Sequence, residues 1–161
     1  MNNQLINTLL RNIDTIAREM HAIYELKFKS YKLQRGQFLF LTRICETPGI
    51  NLQELSYQLK MDKTTITKAV QKLMVAGYIN KSTDIKDRRI SHLTPTSKAT
   101  NIYKEIISEK NRLIEICFKS ISPKNSEILS KLIETMLSNI NDEWNRRIKT
   151  KNDTIDEPAL S

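Results

Sequence analysis

Residues 51–77 read NLQELSYQLKMDKTTITKAVQKLMVAG, and this stretch predicts two short helices separated by a tight turn. Asn51 is a favourable N-cap, and Glu54 three residues later completes a capping-box pattern for the first helix. Asp62 predicts the second N-cap, because its carboxylate can accept backbone N–H bonds at the positive end of the helix dipole. Gly77 can adopt the left-handed conformation that ends the second helix. Two helices in this order are typical of a helix-turn-helix motif.

The second of these helices has two chemically different faces. At 100° per residue, Ile66, Val70 and Leu73 lie within about 60° of one another and are predicted to be buried. The opposite side carries hydroxyl, amide and ammonium groups, which suit base edges and phosphates in the major groove of DNA. An ordinary solvated amphipathic helix would explain the same pattern. The candidate DNA-binding residues of this helix are Lys63, Thr64, Thr65, Thr67, Lys68, Gln71 and Lys72.

A small β-hairpin is predicted after the second helix, from the alternating segments 78–82 and 89–93 joined by a polar stretch. Near the end of this ribbon, long planar arginine side chains fit a narrow and electronegative minor groove. We expect Asp87 to pair with an arginine and hold the loop shape, because its negative charge would otherwise oppose DNA binding. A chance cluster of surface charges is the alternative. The candidate DNA-binding residues of the loop are Lys86, Asp87, Arg88 and Arg89.

These motifs resemble those of the multiple-antibiotic-resistance regulator (MarR) family. In that family a polar recognition helix ends in a Leu-x-x-x-Gly turn, and a wing with Asp-x-Arg and then Leu-Thr follows. Here the segments 73–77, 87–89 and 93–94 match these three features. Ser97 stands where family members commonly have glycine, which affects the expected local geometry more than the function.

The resemblance extends over about residues 5–148, and its specific part is confined to residues 52–94. Upstream, Leu33, Gln37, Phe38 and Leu41 fit the family's second-helix pattern. The implied fold is mainly α, a winged helix-turn-helix with a small β-hairpin wing and N- and C-terminal helices that form a dimerisation arm. The expected organisation is a dimerisation helix in 1–33, the winged helix-turn-helix domain in 34–94, dimerisation helices in 95–149 and a flexible tail in 150–161.

The apolar spacing outside the motif agrees with such an arm. Helices are expected over about 3–29 and 37–46, from Thr94-Pro95 to Ser122, and over 124–149. The first and last of them carry apolar stripes wider than a core of this size needs, and packing against a two-fold mate would cover that surface. The stripe residues are Ile6, Leu9, Ile13, Ile16, Met20 and Ile23 near the start, and Leu129, Leu132, Ile133, Met136, Leu137, Ile140 and Trp144 near the end.

What the resemblance implies for function is a homodimeric regulator of transcription, a repressor that binds a pseudo-palindromic operator in double-stranded DNA. Many family members release DNA when a small phenolic or other aromatic ligand binds between the dimerisation arm and the winged domain. The candidate ligand-pocket residues are His21, Tyr24 and Phe28, near the end of the first helix. Simple packing of these aromatic rings is the alternative.

The charge distribution supports a polyanionic partner. The chain has a formal net charge of +8, and residues 60–92 hold eight basic and three acidic groups, a net +5. A basic block of this kind favours a nucleic acid as partner. A winged-helix module that contacts only proteins is the alternative, although the basic helix face would then have no role.

Other classes of function have little support in the sequence. It contains no phosphate-binding glycine loop, metal-ligand cluster or nucleophile–base pattern, so we expect neither an enzyme nor a cofactor. Cys45 and Cys117 are expected to be buried structural thiols, with a thiol-based redox-sensing regulator as the alternative. No run of eighteen apolar residues is present and the N-terminus lacks a signal-peptide pattern, so we expect a cytoplasmic protein without membrane contact.

Overall fold

The computed structural model describes residues 8–31, 33 and 36–155, with side chains described as far as Ile148. The described chain has six α-helices, a short 3-10 helix and three strands. Their bounds are α1 Leu9–Lys27, the 3-10 helix Lys29–Tyr31, α2 Gln37–Glu46, β1 Ile50–Asn51, α3 Leu52–Leu59, α4 Lys63–Val75, β2 Ile79–Thr83, β3 Ser91–Pro95, α5 Ser97–Cys117 and α6 Pro123–Ile155. The chain forms two compact units, which meet within α5 between Leu113 and Ile114.

The two short helices begin as the sequence predicts. The Asn51 side-chain oxygen accepts hydrogen bonds from the backbone N–H groups of Gln53 and Glu54, both at 2.9 Å. The Glu54 carboxylate in turn accepts the backbone N–H of Asn51 at 3.0 Å, which completes the capping box. Asp62 caps α4 by accepting the N–H of Thr65 at 2.9 Å. The predicted caps of α3 and α4 are therefore confirmed.

Asn51→Ala is expected to lower the free energy of unfolding by about 1 kcal/mol, because two N–H groups at the start of α3 lose their acceptor. Urea denaturation followed by circular dichroism measures this change. Gln53→Ala is the matched control, since that exposed position keeps its backbone N–H and gains helix propensity. Equal stability of both variants would contradict the capping role.

The strands form one antiparallel sheet in the order β1-β3-β2. The sequence predicted only the hairpin, and it missed β1, in which Ile50 pairs with Leu93. The hairpin strands begin one and two residues later than expected, so Arg89 lies in the connecting loop. The expected helix start at Thr94-Pro95 is wrong, because Pro95 still pairs with Ile79 in the sheet.

Thr96 provides the start of α5 instead. Its hydroxyl accepts the N–H of Ala99 at 3.3 Å and donates to the carbonyl oxygen of Gly77 at 2.9 Å. The second of these bonds ties the first turn of α5 to the end of α4. Ser97 is the first residue of α5, so the departure from the family pattern falls at a helix start.

The hydrophobic core of the first unit lies among the end of α1, α2, α3, α4, α5 and the sheet. Ile66, Val70 and Leu73 of α4 are buried, as predicted from their spacing. In α2, Phe38 and Leu41 point inward as expected, whereas Cys45 is only half-buried. The largest fully buried side chains are Phe28, Leu41, Ile44, Ile50, Leu55, Ile66, Leu73, Tyr78, Leu93, Ile102, Ile106 and Glu109.

A buried carboxylate connects α1 to α5 within this unit. The side chain of Glu109 is 2% exposed, and both of its oxygens bind Arg112, at 2.6 and 3.0 Å. Lys27 at the end of α1 pairs with the same carboxylate. The hydrogen bonds from Arg112 and Lys27 lower the pKa of Glu109 to about 2, so the carboxylate is charged at neutral pH. This pairing satisfies a charge that would otherwise be costly to bury.

The second unit consists of the end of α5 and the long helix α6. The last helix was expected to end near Lys149, but it continues to Ile155, because residues 150–155 contain neither proline nor glycine. The remaining part of the expected tail, residues 156–161, lies outside the described residues, as does Ile6 of the first stripe. None of the helices in the described ranges is long and apolar enough to cross a membrane.

No α6 side chain described, as far as Ile148, is buried in the single chain. Large apolar side chains are nevertheless frequent along this helix, and they are exposed: Ile128, Leu129, Leu132, Ile133, Leu137, Ile140, Trp144 and Ile148. In α1, the predicted stripe is likewise exposed at Leu9, Ile13, Ile16 and Ile23. An apolar stripe of this length on one helix is typical of a protein–protein interface.

Candidate nucleic-acid interface

The polar face of α4 is fully presented to solvent. All seven of its candidate residues are exposed, from Lys63 to Lys72, while the opposite face is buried. The core therefore fixes the rotation of this helix about its axis. A helix held in this way can enter a major groove with its polar side foremost.

The hydroxyl groups on α4 are used in different ways. Thr65 donates its hydroxyl to the capping carboxylate of Asp62 at 2.6 Å, so this side chain supports the helix start. The hydroxyl of Thr67 donates to the carbonyl oxygen of Lys63 at 2.7 Å, which leaves its oxygen lone pairs and methyl group for a partner. The amide of Gln71 is exposed in the middle of the face and offers both donors and an acceptor.

The wing loop is organised by two carboxylates. One oxygen of Asp84 accepts the backbone N–H groups of Lys86 and Asp87, at 2.7 and 2.9 Å. Asp87 then accepts Nε and Nη2 of Arg89, both at 3.0 Å, as well as the Arg89 backbone N–H. The predicted pairing of Asp87 with an arginine is confirmed, and the arginine is Arg89. The hydrogen bonds from Arg89 lower the pKa of Asp87.

The cations of the loop remain accessible in this arrangement. The side chain of Arg89 is 90% exposed despite its pair with Asp87, and Lys86 and Arg88 are also exposed. The carboxylate thus orients the guanidinium without covering it. α4 and the wing, which are consecutive in the chain, together supply the eleven candidate DNA-binding residues.

Sequence reasoning missed two residues at the base of the wing, Asp84 and His92. The imidazole of His92 lies between the Asp84 carboxylate and the carbonyl oxygen of Gly49, at 2.8 Å from each. An aspartate that opens a polar turn is a known signal for side-chain to backbone bonds, and it identifies Asp84 in retrospect. Nothing local identifies His92, because Gly49 is 43 residues away in the chain.

The three candidate pocket residues have different surroundings, since two of them are buried and one is exposed. Tyr24 and Phe28 belong to the core, and the Phe28 ring packs against the rings of Phe38 and Tyr31, with centroid distances of 5.7 and 6.0 Å. His21 is exposed and contacts the edge of Tyr24. An open depression of about 490 Å³ lies on a neighbouring face of α1, lined by Ala22, Glu25, Leu26, Lys29 and Leu33.

The two thiols differ from the expected buried pair. Cys117 is exposed, because it lies at the end of α5 beyond the core of the first unit. Cys45 is half-buried, and desolvation raises the pKa of its thiol to about 11, which disfavours the reactive thiolate. Among the described residues, no cluster of three or more histidine, cysteine, aspartate or glutamate side chains could hold a metal ion.

Comparisons with known proteins identify the family. The sequence model of the MarR family matches residues 33–91. The uncharacterized HTH-type transcriptional regulator YybA of Bacillus subtilis is 34% identical over 139 residues, which cover 86% of this chain and 93% of that protein.

Two solved structures extend the similarity to the whole fold. A MarR protein from Peptoclostridium difficile has 48% sequence identity and a TM-score of 0.84, over 91% of this chain and 95% of that one. A putative MarR family regulator from Listeria monocytogenes, solved in complex with a 26mer DNA, has 33% identity and a TM-score of 0.81, over 87% and 93% of the two chains. The chain described here belongs to the MarR family of winged helix-turn-helix transcriptional regulators.

Proposed function

We propose that this protein binds a pseudo-palindromic operator in double-stranded DNA as a cytoplasmic homodimer, represses transcription there, and is released by a small aromatic ligand. The observation that carries the proposal is the exposed polar and basic face of α4, which is followed directly by a wing with exposed cations. The Listeria relative solved with DNA supports the same use of the fold.

In the proposed complex, α4 lies in the major groove. Gln71 can form two hydrogen bonds to an adenine, and the Thr67 oxygen can accept from an exocyclic amine. Lys63, Lys68 and Lys72 neutralise phosphates, which gives affinity without sequence preference. The wing reaches the adjacent minor groove through Arg88 and Arg89.

A homodimer gives the exposed apolar stripe of α6 a partner. Burying one leucine or isoleucine side chain contributes about 1.5–3 kcal/mol, and eight large apolar side chains of this helix are exposed in the single chain. A second copy of the same helix supplies a self-complementary surface under two-fold symmetry. We assign the dimerisation arm to α1, α5 and α6, as the sequence predicts. Two α4 helices then meet successive major grooves about 34 Å apart.

Ligand control is assigned to the end of α1, with His21, Tyr24 and Phe28 as the contact residues. Phe28 is 1% exposed, so a ligand that uses this side chain must displace its ring from the core. Such a ligand acts by binding more tightly to a conformation that does not fit DNA. Release of a bound duplex by a simple phenol, together with a higher Tm of the free protein, is the expected result.

The DNA-binding proposal is tested by selecting duplexes of about 30 bp from a random library, long enough for two half-sites. Fluorescence anisotropy then measures the affinity of a selected duplex at several salt concentrations. We expect sequence-specific binding and a steep decrease of log affinity with log salt concentration. If no duplex binds even at low ionic strength, the proposal is wrong and a role in protein contacts alone takes its place.

Gln71→Ala is expected to reduce discrimination at one base-pair position by about tenfold, because a bidentate amide contact to a base is lost. Binding to non-specific duplex should remain nearly unchanged, since the substitution removes no charge. Competition between the selected duplex and its single-base variants measures this effect. Gln58→Ala on the exposed side of α3 is the control, and a uniform loss of affinity in Gln71→Ala would contradict base readout.

A further inference from the structure

The imidazole of His92 has hydrogen-bond acceptors on both sides. Nδ1 lies 2.8 Å from the carbonyl oxygen of Gly49, in the turn between α2 and β1. Nε2 lies 2.8 Å from Oδ2 of Asp84, in the loop after β2. A neutral imidazole has one N–H and can donate to only one of these oxygens, whereas the imidazolium donates to both. The geometry therefore selects the protonated ring.

The charged groups around His92 act in the same direction. The hydrogen bond to Asp84 raises the pKa of His92 most strongly, the bond to Gly49 raises it further, and Glu54 at the start of α3 adds a smaller favourable interaction. In turn, the hydrogen bonds from His92 and from the loop amides lower the pKa of Asp84 to about 2. The Asp84 carboxylate is therefore ionised near neutral pH, and it favours the protonated form of the imidazole that faces it.

Asp84 connects His92 to the wing loop, because its two carboxylate oxygens have different hydrogen-bond partners. Its Oδ2 faces His92, while its Oδ1 accepts the N–H groups of Lys86 and Asp87. Asp87 holds the guanidinium of Arg89. A continuous series of hydrogen bonds thus runs from the Gly49 carbonyl to the arginine that the proposed function places in the minor groove.

We propose that protonated His92 is a positioning residue for the wing, which holds Asp84 and the loop from Lys86 to Arg89 in the DNA-binding conformation, so that operator affinity decreases when His92 loses its proton. This inference rests on the proposed DNA-binding function. A wing ordered before binding avoids the entropic cost of ordering it on the DNA. When the ring is neutral, one of its two contacts becomes a repulsion between two acceptors. The base of the wing is then no longer held in the DNA-binding conformation.

The sign of the pH dependence follows from the direction of the pKa shift. The pKa of His92 is raised in the folded wing. Protonated His92 therefore stabilises the wing fully at pH values below the ordinary histidine pKa of about 6.5. That contribution is lost as the pH rises through the raised pKa. Operator affinity should therefore decrease with increasing pH from about 6.5 upward.

Asp84→Asn isolates this effect, because the new side chain keeps the Oδ1 acceptor for the Lys86 and Asp87 amides. Its NH₂ group replaces Oδ2 and can donate to a neutral His92, whose remaining N–H donates to Gly49. The variant thus retains both contacts but no longer favours the imidazolium. If the charge of Asp84 acted only through long-range electrostatics, its removal would strengthen DNA binding at every pH.

The experiment uses full-length protein and a fluorescein-labelled duplex selected on the wild-type protein at low pH. Anisotropy gives the affinity between about pH 6 and pH 8.5, and NMR follows the two histidine rings and the wing amides over the same range. Ser82→Ala is the matched control, because position 82 is exposed and pairs with His92 in the sheet, and the substitution removes no titratable group.

For the wild type and for Ser82→Ala, we expect affinity to decrease about threefold to tenfold with rising pH, the scale of a partly exposed charge-assisted contact. The amides of Lys86, Asp87 and Arg89 should shift with the same midpoint as His92. Asp84→Asn keeps both contacts with a neutral ring, so its affinity should be close to that of the wild type at low pH and should not decrease as the pH rises.

Three results would overturn the inference: an affinity independent of pH, a His92 that titrates at or below its ordinary value, or an Asp84→Asn variant that binds more tightly throughout. Failure of every duplex to bind at pH 6 would instead overturn the proposed function, and this inference with it. Binding at pH 6 without any pH dependence overturns the inference alone.

Discussion

Arg89→Ala is expected to weaken operator binding by about 100-fold, which corresponds to about tenfold for each of the two wings of a dimer. Asp87 orients the Arg89 side chain in the free protein, because its carboxylate accepts Nε and Nη2 of Arg89 at 3.0 Å. The Arg89 side chain nevertheless stays 90% exposed. The planar cation is therefore oriented before it meets a narrow and electronegative minor groove. Anisotropy with the selected duplex measures the loss, and sedimentation should show an unchanged oligomeric state.

Two further substitutions separate orientation from charge. Arg89→Lys keeps the charge but loses the planar fork, so it should recover only a small part of the lost affinity. Asp87→Ala removes a negative charge near the DNA, and a purely electrostatic wing would then bind more tightly. We expect weaker binding, since the guanidinium loses its partner. Wild-type affinity in Arg89→Ala would remove the wing from the proposed mechanism.

The features predicted correctly from the sequence depend on short-range signals. A cap is determined by residues within three positions of each other, as at Asn51 and Asp62. The buried face of α4 follows from helical periodicity, and the Asp87–Arg89 pair spans two residues. Local chemistry determines each of these features, so a single sequence is sufficient to find them.

The features that the sequence did not predict depend on contacts between distant residues. Strand β1 has only two residues, and it exists because Ile50 pairs with Leu93. Pro95 extends β3 because its partner Ile79 continues the ladder, which overrides the tendency of Thr94-Pro95 to start a helix. His92 gains its role from Gly49, which folding brings to it from another part of the chain.

The apolar stripe of α6 shows a different limit of sequence reasoning. Spacings of three and four residues identify an apolar face, but they do not say what covers it. In this chain the stripe is exposed except at the half-buried Met136, whereas the similarly spaced apolar residues of α4 are buried in their own unit. The same pattern thus contributes to an internal core in one helix and is exposed in the other.

Ile140→Glu should dissociate the proposed dimer and, as a consequence, lower operator affinity by at least about 100-fold. Ile140 lies within the exposed stripe and is 62% exposed in the single chain. A dimer would place one carboxylate from each copy in an apolar interface, where unpaired charges are strongly unfavourable. The sedimentation mass should decrease from twice 18.8 kDa to 18.8 kDa. Without the dimer, two recognition helices no longer bind the duplex as one unit, and avidity of about 10²–10⁴ is lost.

Ser138→Glu is the matched control, because position 138 is exposed and lies about 200° around the helix from position 140. It introduces the same charge into the same turn of α6, and it should leave both the mass and the affinity unchanged. Circular dichroism must show equal helix content in the two variants, so that dissociation is not a result of unfolding. A dimeric Ile140→Glu protein would place the two-fold interface elsewhere. A monomeric one that still bound the operator tightly would mean that a single α4 and a single wing are sufficient.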